Sequence, residues 1–272
     1  MTQNNVAGAV DRATDSAWFE RAARAGHVVS GVMHLVIAYI VGRLAFGDAG
    51  NADQSGALAI FAESSGGRLL LWVAVVAFAA LALWRLAEAV LGGKANDPAD
   101  RDDGLGGWFD RGKALSLCVI YVAFAYSAAR FAIGAGESSG RQNAGLSARL
   151  MQSAGGKFVL VIVGLIIIAV GVYHIYKGVT RNFLDDLRTG GGRAVTVTGV
   201  VGYAAKGTVL AGAGLLVIVA AVQADPSKAT GVDGAVKTLA GLPAGQALLI
   251  LAAIGIATYG VYSFVMARQA RM

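Results

Sequence analysis

Six long apolar segments alternate with short polar segments along the chain. They cover residues 27–46, 69–91, 114–134, 158–178, 199–222 and 246–267. A helix needs about 20 apolar residues to cross a bilayer, and each segment reaches or nearly reaches that length. The pattern therefore predicts an all-α, polytopic membrane protein with six transmembrane helices.

The composition agrees with this prediction. The chain is 56% hydrophobic and 15% charged, whereas soluble domains carry roughly a quarter charged residues. The single cysteine, Cys118, lies in the third apolar segment. A single cysteine excludes an internal disulfide, and its place in an apolar segment favours a packing role for Cys118. The net charge of +6 follows the pattern of positive residues that orient membrane proteins, so we expect no nucleic-acid partner.

Lys and Arg are unevenly distributed between the polar segments. The N-terminal segment, the second and fourth loops and the C-terminal segment together carry twice as many as the other three loops. Because positive residues stay in the cytoplasm, both termini are expected on the cytoplasmic side of the plasma membrane. The expected partners are the lipid bilayer, its anionic lipids, and another membrane protein or a second copy of the chain.

A repeat with a spacing of 89 residues joins the second, fourth and sixth apolar segments. Gly56–Leu69 aligns without a gap with Gly145–Phe158 and with Gly234–Ala247. The register continues through glycines, leucines and aromatic residues: Gly67, Gly156 and Gly245; Leu71, Leu160 and Leu249; Trp84, Tyr173 and Tyr262. One ungapped register across three segments indicates a three-fold internal repeat.

The remaining three segments repeat more loosely. At a spacing of 87 residues, the first segment matches the third at His34, Tyr39 and Arg43, which correspond to Tyr121, Tyr126 and Arg130. The fifth segment has lost the aromatic and arginine matches. Each repeat is a helix, an outer loop and a second helix, so every repeat starts on the same face. Parallel repeats are related by an axis along the membrane normal. We predict three hairpins around a pseudo-three-fold axis.

The outer loops carry apolar residues at helical spacing before their glycine-containing turns: Leu58 and Phe61, Leu146 and Leu150, Val236 and Leu239. Short amphipathic stretches beside a span lie in the interface, so three short interfacial helices are predicted. These patterns divide the chain into a polar N-terminal segment (1–26), three hairpin repeats (27–93, 108–180 and 197–272), an acidic linker (94–107) and a second linker (181–196).

The sequence GALAIFAESSGGR at Gly56–Arg68, its two copies, and AAKG at Ala204–Gly207 carry a resemblance. They resemble a bacterial membrane family that contains a two-helix domain of unknown function three times. The resemblance covers nearly the whole chain and implies the six-helix, three-repeat fold, but it implies no activity. The first two repeats depart from AAKG, so the role of Lys206 is not common to all three.

Ionisable residues inside spans are costly and are candidates for function: Arg85, Glu88, His174, Lys177, Lys206 and His34. Arg85 and Glu88 occupy the repeat positions of His174 and Lys177, on one helix face in each case. If these faces meet near the axis, they form a net-positive inner vestibule. Such a vestibule would bind an anionic solute or a lipid head group.

A second interpretation of these residues stays open. Lys and Arg near helix ends extend their charged groups to the interface. Aromatic residues at similar depth then form a belt: Trp84, Tyr173, Tyr176 and Tyr262. On this interpretation the ionisable residues mark only the cytoplasmic edge of the membrane.

The three histidines do not indicate a metal or haem site. His27 and His34 share a helix face, but no HxxxH or HExxH pair occurs and no repeat copies the histidines. No GxSxG or phosphate-binding motif occurs in a strand–helix setting. We therefore expect no metal, no cofactor and no enzymatic activity.

These patterns favour a non-enzymatic integral membrane protein that serves as an accessory, assembly or structural component. The alternative is a small channel or carrier for an anionic or small solute along the pseudo-three-fold axis. Transporters contain helices broken near the midplane, and Gly212 and Gly214 are the residues that could loosen the fifth segment.

Overall fold

The computed structural model describes residues 17–91, 105–189 and 191–270. These residues form nine α-helices: α1 Ala17–Ala45, α2 Gln54–Glu63, α3 Gly67–Leu91, α4 Leu105–Ala132, α5 Ser139–Leu150, α6 Ala154–Thr180, α7 Arg193–Gln223, α8 Val232–Ala240 and α9 Gly245–Gln269. Two short 3₁₀ turns, Asn182–Leu184 and Pro226–Lys228, lie in the loops after α6 and α7. An isolated β-bridge joins Leu187 and Ala270.

Six of the described helices are long and apolar enough to cross a membrane. Their candidate spans are Arg24–Ala45, Gly67–Val90, Arg111–Ala132, Ala154–Thr180, Arg193–Gln223 and Gly245–Gln269. Each predicted apolar segment overlaps one of them. The prediction of an all-α, multi-pass membrane protein is confirmed.

The short helices α2, α5 and α8 lie in the loops inside the three repeats, as predicted from the apolar spacing there. Helix α1 begins at Ala17, within the N-terminal segment that precedes the first hairpin repeat. Residues 1–16 of that segment, and residues 94–104 of the acidic linker, lie outside the described residues. The linker after α6 contains Phe183 and Leu187, which are both buried.

The first spanning helix of each repeat ends in the same left-handed turn. Gly47, Gly134 and Ala224 have φ angles of 89°, 78° and 52°. In each repeat the next residue donates its N–H to the carbonyl five positions back: Asp48 to Arg43, Ala135 to Arg130, and Asp225 to Ala220. This bond is typical of the Schellman type of helix end. The third repeat therefore keeps the backbone turn although it has lost the arginine.

The second spanning helix of each repeat has, within its first three residues, a glycine with no room for a side chain. A methyl group on Gly67, Gly156 or Gly245 would lie 1.8, 1.9 or 2.2 Å from the carbonyl oxygen of Phe61, Leu150 or Ala240 respectively. Four residues later the equivalent leucines are all buried, with exposures of 5% or less: Leu71, Leu160 and Leu249. The three-fold repeat read from the sequence is thus also a repeat of backbone geometry and burial.

The chain divides into two compact units. Unit 1 comprises residues 1–23 and 58–136, and unit 2 comprises residues 24–57 and 137–272. In unit 1, Phe78 of α3 contacts Tyr121 and Phe124 of α4, with ring centroids 6.4 and 5.5 Å apart. In unit 2, α7 and α9 pack together as the hairpin of the third repeat. The spanning helices of the other two repeats are divided between the units, so the pseudo-three-fold axis stays a prediction.

Glycines set the close packing of the spans in unit 2. Three glycines seven residues apart on α6 face α7. A methyl group on Gly171 would lie 2.6 Å from both the nitrogen of Ala211 and the carbonyl oxygen of Gly207, and one on Gly164 would lie 2.8 Å from the carbonyl oxygen of Gly214. Small residues allow helix backbones to approach in this way. Gly214 is therefore a packing residue in a continuous helix rather than a break in α7.

The other spans of unit 2 meet through similar contacts. A methyl group on Gly202 of α7 would lie 2.6 Å from the Cα of Tyr259 in α9, and one on Gly31 of α1 would lie 3.0 Å from the carbonyl oxygen of Gly260. Both distances are shorter than an ordinary contact of a methyl group. Helices α1, α9, α7 and α6 thus pack successively against one another.

The loops inside the repeats are joined by buried hydrogen bonds within unit 2. Asp233 of α8 is 6% exposed; it accepts a bond of 2.8 Å from the backbone N–H of Ala52 and pairs with Lys237 at 2.8 Å. Ser55 accepts a 3.0 Å bond from the N–H of Ser139, at the start of α5. Elements of all three loops therefore meet on one side, as parallel repeats require.

Candidate functional site

Lys206 of α7 lies among residues from three other spans of unit 2. Its ammonium donates a hydrogen bond of 3.0 Å to the hydroxyl of Tyr259 on α9 and lies 4.2 Å from the centre of that ring. The ring of His34 on α1 contacts Tyr259, and the ring of His174 on α6 lies beside Tyr203 of α7, which in turn contacts Tyr259. Three of the six candidate residues, from three different helices, are thus linked through two tyrosines.

Both histidines use one ring nitrogen inside their own helix. The Nδ1 of His34 lies 2.7 Å from the carbonyl oxygen of Ser30, and the Nδ1 of His174 lies 2.8 Å from that of Val170. Because a carbonyl oxygen only accepts, each Nδ1 carries the proton. Each Nε2 is then directed away from its own helix backbone. The His34 ring also packs on Tyr259, with centroids 4.7 Å apart.

Lys177 has a partner that the sequence analysis did not identify. Its ammonium forms an ion pair of 2.6 Å with Asp186, in the loop after α6, and its side chain is 18% exposed. The same ammonium lies 5.8 Å from the centre of the Tyr203 ring. Lys177 is therefore neutralised by a loop carboxylate, whereas the vestibule hypothesis treats it as a free cation.

An aromatic cluster lies against both lysines of this site. It consists of Phe183, Tyr203, Tyr259 and Tyr262, with ring centroids 5.2–5.6 Å apart. Tyr262 is fully buried, and its hydroxyl donates a 3.2 Å bond to the carbonyl oxygen of Phe183. One of these contacts, between Phe183 and Tyr203, is stacked and the other three are edge-to-face, the two arrangements that aromatic pairs prefer. The cluster fixes the position of Tyr259, which holds Lys206.

The burial of Tyr262 corrects the prediction of an aromatic belt. Its repeat equivalent Tyr173 is 57% exposed, as an interface residue would be, but Tyr262 is 0% exposed. The two positions differ because the loop after α6 folds back over α9, where Arg188 donates its N–H to the carbonyl of Gln269 at 2.7 Å. Phe183 of that loop covers Tyr262.

Arg85 and Glu88 form a separate pair in unit 1. The guanidinium of Arg85 donates to the carboxylate of Glu88 at 2.6 Å, and both side chains are about one third exposed. The possible ion pair in the sequence is thus present in the structure. The Nε of Arg85 is buried and makes no hydrogen bond within the described chain. A vestibule shared by this pair and the residues of unit 2 stays a prediction.

The arrangement around Lys206 is electropositive. Within residues 17–91, 105–189 and 191–270, no carboxylate oxygen lies within 4.0 Å of its ammonium. The acidic residue of this region, Asp186, is already paired with Lys177. An ammonium inside a span without a counter-ion is costly. Chemically, the site is suited to accept a negative group that reaches the ammonium of Lys206.

Sequence reasoning missed Tyr203, Tyr259 and Asp186. The two tyrosines lack equivalents at their repeat positions, and alignment of the repeats therefore gave no signal for them. A different signal was available for Tyr203, since it lies three residues before Lys206 and thus on the same face of α7. Asp186 lies in a loop, where no periodicity indicates which helix a side chain will meet.

Six spans and a repeated helix–loop–helix element define this protein as a multi-pass helical membrane protein built from three copies of one domain. The chain belongs to the family described as Domain of Unknown Function (DUF1206), whose model matches residues 25–92, 113–181 and 201–270. These three matches coincide with the three repeats, which confirms the resemblance and the number of copies.

A relative in Bacillus subtilis (strain 168) aligns with most of the chain. It carries the name Uncharacterized protein YxxB and is 25% identical over 253 residues, which are 90% of this chain and 89% of the relative. No solved structure matches the chain.

Proposed function

We propose that this protein is a non-enzymatic component of the plasma membrane that supports the assembly or stability of other membrane constituents. The proposal rests on the close packing of the spans and loops in unit 2. Its spans touch through glycines with no room for a methyl group, and Asp233 and Ser55 tie the loops together. Such a body is suited to hold a fixed shape rather than to alternate between two states.

A partner surface is available on α3. Leu69, Val76, Leu83 and Val90 are spaced seven residues apart and are each 68–70% exposed. A row of apolar residues with this spacing stays on one side of a helix that packs against another helix. This supports a neighbouring membrane protein or a second copy of the chain as partner, in addition to lipid.

Affinity purification of the tagged full chain from native membranes tests the accessory role. A stable membrane protein partner, lost on Val76→Trp and retained on Leu251→Trp, would support it. Leu251 is a similarly exposed apolar residue in a span, at 65% against 69% for Val76, but it lies on α9 of unit 2. If no protein copurifies and chemical cross-linking at α3 yields neither a partner nor a dimer, the accessory role is wrong.

The second candidate is a channel or carrier for an anionic solute, and the electropositive setting of Lys206 favours it. The continuous α7 and the buried contacts between the loops argue against it, because a transport path must open on both sides. Anion-dependent flux into proteoliposomes that is abolished by Lys206→Gln would replace the accessory role with this one.

For the orientation, we propose that both termini are cytoplasmic. The support is the two-fold excess of Lys and Arg in the segments on that side. Reporter fusions at the C-terminus and within the loop after α7 test this, using an enzyme that folds only outside the cytoplasm. Activity is expected for the loop fusion alone, and activity of the C-terminal fusion would reverse the topology.

A further inference from the structure

The ammonium of Lys206 has more hydrogen-bond donors than its one acceptor among the described residues of unit 2 uses. An ammonium has three N–H donors, and one of them is used by the Tyr259 hydroxyl at 3.0 Å. Lys206 is partly exposed, so a second group can reach it. The remaining donors thus point to an acceptor that the described part of the chain does not supply.

The surroundings of Lys206 select for a negative group. Lys177 is already neutralised by Asp186, and His34 and His174 each donate Nδ1–H to their own helix. The ammonium of Lys206, in contrast, has no carboxylate oxygen within 4.0 Å among the described residues. It would repel a cation, whereas an anion would offset a charge that is otherwise uncompensated in a span.

The geometry also favours a ligand with several oxygen atoms. The hydroxyl of Tyr259 accepts from Lys206, so its own hydrogen is directed elsewhere and can be donated. The ammonium nitrogen of Lys206 and the hydroxyl oxygen of Tyr259 lie 3.0 Å apart, so their free donors start from neighbouring atoms. A phosphate group presents enough oxygens to accept from all of them, and bonds from charged donors are the stronger ones.

We propose that Lys206 and Tyr259 bind the phosphate group of an anionic ligand, with His34 acting as a positioning residue that packs on the Tyr259 ring. The location of Lys206 within a spanning helix favours a phospholipid head group as the source of this phosphate. The site goes beyond the proposed accessory role, since it requires no protein partner.

Native mass spectrometry of the full chain, purified in detergent and stripped of phospholipid, tests the proposal. Phosphatidylglycerol is added to the wild type, to Lys206→Gln and to Tyr259→Phe, with Lys177→Gln as the matched control. One bound phosphatidylglycerol per wild-type chain is expected, with affinity lowered about tenfold or more in Lys206→Gln, as loss of a charged hydrogen bond implies. Tyr259→Phe should weaken binding less, and Lys177→Gln should leave it nearly unchanged.

Two further ligands identify the source of the phosphate. Phosphatidylcholine, which carries no net charge, should bind at least about tenfold more weakly than phosphatidylglycerol. Inorganic phosphate that binds in a Lys206-dependent manner, in place of the lipid, would support the site but assign it to a free anion.

Equal binding of phosphatidylglycerol to wild type and Lys206→Gln would overturn the proposal, and so would equal loss in Lys206→Gln and Lys177→Gln. If Lys206→Gln does not fold, Lys206→Arg and Tyr259→Phe decide the matter: the arginine variant keeps the charge and should keep binding. Because the readout is a bound lipid, its failure leaves the test for a protein partner unaffected.

Discussion

The ammonium of Lys206 lies 3.0 Å from the hydroxyl of Tyr259, two residues that are 53 positions apart on different spanning helices. Their contact depends on Gly202, one turn earlier on α7, where a methyl group would lie 2.6 Å from the Cα of Tyr259. The close approach of the two helices thus places a lysine against a tyrosine.

Lys206 and Tyr259 should be energetically coupled. In detergent without phospholipid, Tyr259→Phe removes the acceptor from a lysine in a span, and we expect it to cost about 1 kcal/mol more with Lys206 present than in the Lys206→Met background. Chemical unfolding of the wild type, both single variants and the double variant measures this. Additive effects of the two substitutions would show that the pair contributes no coupling.

Tyr262→Phe should destabilise the protein by about 1 kcal/mol, because it leaves the buried carbonyl of Phe183 without its hydrogen bond. The matched control is Tyr173→Phe, at the equivalent repeat position, where the ring is 57% exposed. That variant should be close to neutral. Thermal unfolding in detergent compares the two, and equal effects would contradict the burial described for Tyr262.

Gly171→Ala should separate α6 from α7. Its new methyl group would lie 2.6 Å from backbone atoms of Gly207 and Ala211, which cannot move aside as a flexible side chain would. Overpacking of this kind costs about 1–3 kcal/mol. Gly42→Ala in α1 is the control, because a methyl group there has no neighbour within 4 Å. The control should retain or gain stability; a Gly171→Ala variant as stable as the wild type would contradict the close packing.

Ala224→Gly should stabilise the protein by about 1 kcal/mol. Ala224 has φ 52° at the end of α7, and a left-handed conformation costs a non-glycine residue about 1–2 kcal/mol. The reverse change at the equivalent position, Gly134→Ala, should lower stability by a similar amount. Both are measured by unfolding in the same detergent, and changes of the same sign at the two sites would be inconsistent with a shared turn.

Asp233→Ala should weaken the contacts between the loops. It leaves the buried N–H of Ala52 without an acceptor and removes the partner of Lys237, which we expect to cost about 1–3 kcal/mol. Lys237→Met is the control and should cost less than about 1 kcal/mol, because the lysine side chain is 46% exposed and its charge is screened. Limited proteolysis of the loops, expected to be faster in Asp233→Ala only, gives a second measurement.

Much of the architecture was predictable because it depends on local features. The six spans follow from the length of apolar sequence, and the turns at Gly67, Gly156 and Gly245 follow from a residue that alone fits there. The candidate site was predicted in part. Its ionisable residues are visible because they interrupt apolar segments, but Tyr259 and Asp186, which hold the two lysines, are not distinguished by any local pattern.

The sequence by itself determined that the chain is a six-span, three-repeat membrane protein, since hydrophobic length and turn chemistry act within a few residues of one another. Only the tertiary structure determined how residues at equivalent repeat positions differ in burial and in charge pairing. Tyr173 and Tyr262 share a repeat position, yet one is exposed and the other is covered by Phe183. Likewise, Lys177 is neutralised by Asp186, and Lys206 is left with Tyr259. These differences arise because glycine contacts set which helix faces meet, and a neighbouring helix or loop determines burial and charge pairing.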